Sequence, residues 1–224
     1  PFVNGVLRTI AREIGKLELP SREEDEVRYL SVKYSMPEYL VEKWKAAYGV
    51  KTTEKILEDF LTERPITVRC RTHKASLREI VTSLKSQGVT VEQAPYLPYA
   101  LKISDYNHIL TLETFLQGKI LVQDVSSMLV AEAASPKKGD HIIDMCAAPG
   151  GKSIHAADKM GDYGNVDARD VSQYKADLIK ENIHRTGVIN VEARVQDATV
   201  YDPDSEQAAD IVIADVPCSG YGVI

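Results

Sequence analysis

Long apolar runs, paired cysteines and an excess of positive charge are all missing from this sequence of 224 residues. Without a run of about 18 apolar residues, it predicts no membrane-spanning helix. Its first residues lack an apolar core beside a small-residue cleavage site, so we expect no signal peptide. The three cysteines, Cys70, Cys146 and Cys218, are far apart, which argues against disulfides and, with no histidine pair at ligand spacing, against a metal site. A reducing cytoplasm is the simplest expectation for this protein.

The net charge of -6 argues against a strongly basic nucleic-acid-binding protein, but the total conceals one basic segment. Between residues 64 and 85, six lysines and arginines accompany a single acidic residue, Glu79. Local patches govern the binding of polyanions more than the total charge does. The sequence therefore leaves RNA binding open and indicates residues 64–85 as the segment that could provide it.

The first half of the chain divides into a predicted helical region at residues 1–62 and a small α+β unit at 63–118. In ITVRCRTH, apolar and polar residues alternate, which is typical of a half-buried strand with Arg69 and Arg71 on its solvent side. A helix that begins with a Ser76–Glu79 capping box follows, and then two more strands. We expect this unit to resemble an RNA-recognition module, with Arg69, Arg71 and Lys74 on RNA phosphates. Exposed arginines that merely solvate an outer strand remain an equally good interpretation.

From residue 119 to residue 224 the pattern is that of an α/β domain. Four strands, in HIIDMC, GNVDARD, VEARVQDA and ADIVIADV, are interspersed with helices in KSIHAADKM and SQYKADLIKENIHRTG. Such alternation predicts a parallel sheet with helices on both faces. We also count the apolar segment KILVQD at 119–124 in this domain. Ligands of these sheets bind beyond the carboxyl ends of the strands.

The segment DMCAAPGGK at 144–152 follows the first of these strands and has the features of a ligand loop. Gly150 and Gly151 lack a Cβ, so backbone N–H groups can approach a ligand closely. The amino end of the following helix favours a carboxylate or phosphate. Asp170, Asp197 and Asp215 follow the next three strands, where they could bind a ribose, an adenine amino group and the reacting end of a cofactor, or could simply cap loops. A nucleoside-containing cofactor is expected, and the absence of G-x-G-x-x-G spacing argues against a dehydrogenase.

DMCAAPGGKSIHAADKM at 144–160 and DVPCSGYGV at 215–223 together resemble the NOL/NOP/Sun family of RNA cytosine-5 methyltransferases. GKILVQDVSSMLVAEAASPKKGD at 118–140 is similar to the start of the family's catalytic domain. FVNGVLR at 2–8 resembles the last helix of the NusB-like domain of the subgroup that acts on small-subunit (16S) ribosomal RNA. The resemblance implies a Rossmann-like methyltransferase domain, S-adenosyl-L-methionine as cofactor and ribosomal RNA as partner.

The resemblance also implies roles for individual residues. The methionine part of the cofactor would be held by Cys146, Ala147, Ala148, Pro149, Gly150, Gly151 and Lys152. Asp170 would bind the ribose, Asp197 would lie by the adenine, and Asp215 would lie near the target base. Cys218, in the Pro-Cys motif, would assist product release or, as in DNA cytosine methyltransferases, act as the nucleophile. The resemblance favours product release, because the RNA family's nucleophile is a second cysteine in a Thr-Cys motif. A nucleophilic cysteine adds to carbon 6 of cytosine and so activates carbon 5.

No Thr-Cys pair occurs in this sequence, and the family's sheet has seven strands, of which four are visible. We therefore expect a piece shortened at both ends, with an incomplete sheet, that binds the cofactor weakly or not at all and does not catalyse methyl transfer. The bare edge of the strand at 210–214 is expected to favour self-association. Alternatives within the enzyme class are a transfer RNA or large-subunit ribosomal RNA substrate. Outside it, the alternative is a non-catalytic RNA-binding protein.

Overall fold

The computed structural model describes residues 2–16, 18–62, 64–161 and 163–218, which divide into one unit before residue 64 and a second unit from it onward. The first unit contains helices α1 (Phe2–Glu13), α2 (Glu26–Tyr34), α3 (Glu38–Tyr48) and α4 (Val50–Phe60). Helices α2, α3 and α4 enclose a small core around Leu30, Val41 and Leu57. Trp44, which the sequence indicates as a core residue, packs against this cluster and stacks on Phe60.

The second unit begins with an antiparallel sheet backed by one helix. Its elements are β1 (Ile66–Cys70), α5 (Leu77–Ser86), β2 (Thr90–Gln93), β3 (Ala100–Ser104), α6 (Glu113–Leu116) and β4 (Ile120–Val122). The strand order is β2-β3-β1-β4. The predicted capping box begins α5, and the buried side chains Ile80 and Leu84 pack on one face of the sheet. Strand β4, which the sequence analysis counted with the α/β domain, instead pairs with β1.

The remaining elements form a parallel sheet with its helices. They are α7 (Val125–Ala134), β5 (His141–Asp144), α8 (Gly151–Met160), β6 (Asn165–Asp170), α9 (Gln173–Thr186), β7 (Val191–Val195) and β8 (Ile211–Ile213). The strand order is β7-β6-β5-β8, with all pairs parallel. The predicted α/β fold, with a small α+β unit before it, is confirmed. Among the described helices none is long and apolar enough to span a membrane.

Among the described residues, helices cover one face of the parallel sheet, whereas the sequence predicted helices on both faces. The face of Ile142, Val166 and Val191 packs against α8 and α9. On the opposite face Val212 is 56% exposed. Between β7 and β8 the chain forms a 3-10 turn at Pro203–Ser205 and, among the described residues of this connection, no α-helix. The sequence YDPDSEQAAD, with proline and several aspartates, favours turns over a helix and accounts for the difference.

The prediction that Arg69 and Arg71 face solvent and contact RNA is wrong. Their exposed fractions are 2% and 1%, and both guanidinium groups pair with Asp158 of α8. Alternation along β1 correctly separated two faces of the strand, but it could not reveal that α8 covers the second face. Lys74 is exposed, so its contact with RNA remains a prediction.

Candidate functional site

Four groups predicted to bind a cofactor lie along one edge of the parallel sheet. Asp197 follows β7, Asp170 ends β6, the segment 145–150 connects β5 to α8, and Asp215 follows β8. Because the sheet order is β7-β6-β5-β8, the carboxyl ends place these groups side by side in that order. A long ligand lying along the edge could therefore meet all of them.

A cleft of about 220 Å³ lies over the connection between β5 and α8. Its walls come from the end of β4, the start of α7, this connection and the segment after β8. The lining residues are Val122, Gln123, Asp124, Ser127, Cys146, Ala147, Ala148, Pro149, Gly151, Lys152 and Asp215. The structure thus brings together all the predicted loop residues except Gly150, which is buried and does not line the cleft, and it adds Asp215. The residues from β4 and α7 were not assigned to the site from sequence.

The two glycines of the loop have different environments. Gly150 has a φ of +100°, and a Cβ there would lie 3.3 Å from Cγ2 of Ile179. This backbone conformation is unfavourable for any residue with a side chain. Gly151 begins α8, and a Cβ there would meet Gln123 at 3.8 Å on the side of the cleft. The amino end of α8 has no side-chain cap, so its positive dipole end adjoins the cleft.

Asp170 stabilises the loop through hydrogen bonds to its backbone. One carboxylate oxygen accepts a hydrogen bond from the backbone N–H of Ala148 at 3.0 Å, and the other from that of Val171 at 2.8 Å. Lys175 Nζ, which the sequence analysis missed, lies 3.1 Å from the Oδ1 atom. Burial opposes ionisation of Asp170, but these N–H groups and Lys175 together lower its pKa. Asp170 is therefore an anion that fixes the loop and retains lone pairs for a ligand hydroxyl.

Asp144 and Ser153 form a buried hydrogen bond between the end of β5 and the start of α8. The hydroxyl of Ser153 donates to Oδ2 of Asp144 at 2.7 Å, while the buried Oδ1 atom accepts no hydrogen bond from the described residues. Burial raises the pKa of Asp144 to about 6, against the opposing effects of Ser153 and Lys152. Asp144 stands in the motif DMCAAPGGK, but nothing in the sequence indicated that it would be fully buried.

Lys152 and Asp215 form an ion pair on the rim of the cleft, with 2.6 Å between Nζ and Oδ2. A lysine in the first turn of a helix is unfavourable against the helix dipole, and the carboxylate offsets this. Asp215 is 60% exposed at its side chain, whereas Lys152 is 20% exposed. A ligand anion entering the cleft would therefore compete with Asp215 for the ammonium group.

Asp197 and Cys218 lie outside the first cleft. Asp197 lines a second cavity of about 340 Å³, together with apolar side chains such as Met145, Val200 and Tyr201. Its carboxylate accepts from the N–H and hydroxyl of Thr199, which lower its pKa. Cys218 is exposed, and the rest of its motif, from residue 219, lies outside the described residues.

The walls of the first cleft fit a small ligand that carries a carboxylate. Lys152 and the amino end of α8 supply positive charge, and the absence of a Cβ at Gly151 leaves room beside the backbone. The Nε2 atom of Gln123 is a buried donor without an acceptor among the described residues. In the part of the chain that the structure describes, no three histidine, cysteine or acidic side chains cluster as metal ligands would.

Comparison with known proteins gives two family matches. Residues 131–224 match the family 16S rRNA methyltransferase RsmB/F, and residues 36–109 match the ferredoxin-like domain of RsmF/B-like methyltransferases. The first match contains the loop, Asp170, Asp197 and Asp215. The second contains β1, β2 and β3 of the antiparallel sheet.

Individual relatives agree with these matches. A Bacillus subtilis protein named "Probable ribosomal RNA small subunit methyltransferase B" is 39% identical, covering 100% of this chain and 49% of its own length. A human 28S rRNA (cytosine(4447)-C(5))-methyltransferase is 31% identical over 87% of this chain and 24% of that protein. The crystal structure of PH0851 has a TM-score of 0.82 and 31% identity, covering 97% of this chain and 49% of that one. The chain thus spans about half the length of its Bacillus subtilis relative.

Proposed function

We propose, from the premise that this chain belongs to the RsmB/F family of 16S rRNA methyltransferases, that the protein methylates carbon 5 of a cytosine in small-subunit ribosomal RNA. The observation that carries the proposal is the row of Asp197, Asp170, the glycine loop and Asp215 along one sheet edge. Carbon 5 is the position named for the human relative. The cytoplasm is the compartment that we infer for this activity.

S-adenosyl-L-methionine is the cofactor that we assign to this edge, and it would supply an electrophilic methyl group. Residues 146–152 would hold its amino acid end, since this segment combines positive charge with room beside Gly151. Asp170 would accept hydrogen bonds from the ribose. The apolar cavity beside Asp197 suits a flat adenine ring. The chain's own residues would thereby bind and orient the donor and exclude water from it.

We infer that the target cytosine would reach the sheet edge beside Asp215 and Lys152. A base must leave its stack to enter such a site, and the exposed Lys74 would contact the phosphates of the RNA around it. Cys218 is assigned to product release. Since the first cleft is formed among the described residues, we expect this chain to bind the cofactor. Since residues 1–224 contain no Thr-Cys pair, we expect no turnover from this chain alone.

Calorimetric titration with S-adenosyl-L-methionine tests the cofactor site. We expect saturable binding to the chain and a loss of affinity of about tenfold or more in Asp170→Ala, because the loop and the ribose both lose their carboxylate acceptor. Asp177→Ala, which changes an exposed aspartate on α9, is the matched control and should bind normally. A folded wild-type chain without any binding would contradict the assignment.

The identity of the RNA has a second candidate, large-subunit ribosomal RNA, because the human relative is named for 28S rRNA. Methylation assays with isolated small and large ribosomal RNA, on a chain extended by the family's Thr-Cys motif, would distinguish the two.

We also propose that strand β8, which among the described residues pairs with β5 alone, permits self-association through its other edge. A purely monomeric sedimentation profile at high concentration would count against this second proposal.

A further inference from the structure

A chain of buried polar contacts runs from the antiparallel sheet to the cofactor cleft. Nη1 of Arg69 lies 2.7 Å from Oδ2 of Asp158, and Nη2 of Arg71 lies 2.6 Å from its Oδ1. The Nε atom of Arg69 donates to Oε1 of Gln123 at 2.9 Å. Gln123 in turn lines the cleft and is 6% exposed. The contacts therefore connect β1, α8 and the end of β4 with the wall of the ligand site.

The orientation of the Gln123 amide follows from its partner. A guanidinium group has five N–H donors and no acceptor, so the atom of Gln123 that faces Arg69 must be the oxygen. The amide nitrogen then points away from Arg69, and it is buried without an acceptor among the described residues. The side chain also adjoins Gly151, since a Cβ added there would lie 3.8 Å from Cδ of Gln123. The side chain of Gln123 and the glycine turn thus line the same cleft.

The charge around Gln123 favours an anionic acceptor. Two guanidinium groups, those of Arg69 and Arg71, share the single carboxylate of Asp158, so this buried group keeps a formal charge of one positive unit. His155 lies nearby with its pKa lowered to about 3 by burial and by Arg69, and it is therefore neutral. The ion pair of Lys159 with Glu132 adds no net charge. The cleft walls themselves carry Lys152 together with Asp124 and Asp215. The positive charge that a carboxylate would meet near Gln123 therefore comes from the buried arginines, beside the N–H donor that lacks an acceptor.

We propose that Gln123 is a further binding residue of the cleft, whose amide N–H donates to the carboxylate at the amino acid end of the cofactor, and that Arg69 is its positioning residue. This inference rests on the proposed function and adds to it a residue from the antiparallel sheet. A glutamine at position 123 can accept a hydrogen bond from Arg69 and donate one to the ligand at the same time, whereas an ionised glutamate could only accept.

The test compares two ligands that differ in the amino acid end. S-adenosylhomocysteine carries the carboxylate, whereas 5′-methylthioadenosine lacks it. By calorimetry on the full chain, we expect Gln123→Met to bind S-adenosylhomocysteine about tenfold more weakly, the effect of one hydrogen bond to a charged group, with 5′-methylthioadenosine unaffected. Arg69→Lys keeps a positive charge for Asp158 but loses Nε, so we expect the same selective loss in smaller measure. Gln117→Met, at an exposed glutamine, should change neither affinity.

The possible outcomes separate the inference from the function on which it rests. A wild-type chain that binds neither ligand would overturn the cofactor assignment and this inference with it. Wild-type binding with an unchanged affinity of Gln123→Met for S-adenosylhomocysteine would overturn the inference alone. Equal weakening of both ligands would show a structural role and would also overturn it. The Gln123→Met substitution removes one unpaired buried donor but also the acceptor of Arg69 Nε. Thermal unfolding of the unliganded variant is therefore measured beside the titrations to confirm that the variant is folded.

Discussion

Gly150 and Gly151 are adjacent in sequence but meet different physical demands, and this gives a prediction for two matched variants. Gly150→Ala places a side chain on a backbone with a φ of +100° and against Ile179, and should lower the free energy of unfolding by about 1–2 kcal/mol or more. Gly151→Ala has ordinary helical geometry and should leave stability equal or raise it by up to about 1 kcal/mol. Its methyl group would instead narrow the cleft beside Gln123 and weaken cofactor binding.

Urea unfolding and calorimetric titration of both variants check this pair. Each variant serves as the control of the other, because the two substitutions are chemically identical and one residue apart. A Gly151→Ala variant that binds the cofactor as tightly as the wild type would mean that the ligand does not approach Gly151. An unchanged stability of Gly150→Ala would mean that the loop relaxes to another conformation.

At the scale of elements, helix α8 is attached to strand β1 through Asp158. Removal of one partner from a buried ion pair leaves an uncompensated charge and typically costs about 3–5 kcal/mol. Asp158→Ala would leave two guanidinium groups, those of Arg69 and Arg71, without their carboxylate. We expect a loss of stability of that size, measured by urea unfolding with circular dichroism.

The control for this element-scale prediction is Asp177→Ala, which changes an exposed residue on α9 and should alter stability by less than about 0.5 kcal/mol. Trp44 is the single tryptophan and lies in the first unit. Its fluorescence therefore reports on that unit and shows whether the variant acts beyond residues 64–218. A loss below about 1 kcal/mol for Asp158→Ala would show that water reaches the arginines.

The elements themselves could largely be predicted from the sequence. Periodicity and capping residues gave the helices and strands, and the series of loop and strand-end residues indicated the edge where Asp170 and Asp215 lie. The elements that pack on each face of a strand could not be predicted. Alternation of apolar and polar residues in β1 distinguishes its two faces, but it does not show that α8 packs on the polar one. For the same reason the sequence predicts neither the burial of Arg69 nor a role for Gln123. Both depend on contacts between segments far apart in sequence.

At the scale of the whole molecule, the cleft is shared by the two sheets of the second unit. Val122 and Gln123 enter it from β4, which pairs with β1 in the antiparallel sheet, while the loop at 145–150 enters it from the parallel sheet. The predicted boundary at residue 119 would separate β4 from its partner strand. The ligand site therefore depends on the sheet that precedes the α/β pattern, and it is not a property of the α/β pattern alone.

This dependence gives a prediction for shortened chains. A chain that begins at residue 64 keeps both sheets and the contacts of Arg69, so we expect it to fold and to bind S-adenosyl-L-methionine like the 224-residue chain. A chain that begins at residue 119 loses β1, removes both arginine partners of Asp158 together with the partner of Gln123, and exposes the surface of α8 that β1 covers. We expect it to lack a cooperative thermal transition and to bind at least tenfold more weakly. If the shorter chain binds as tightly as the longer one, the antiparallel sheet contributes to RNA recognition alone and has no part in holding the cofactor.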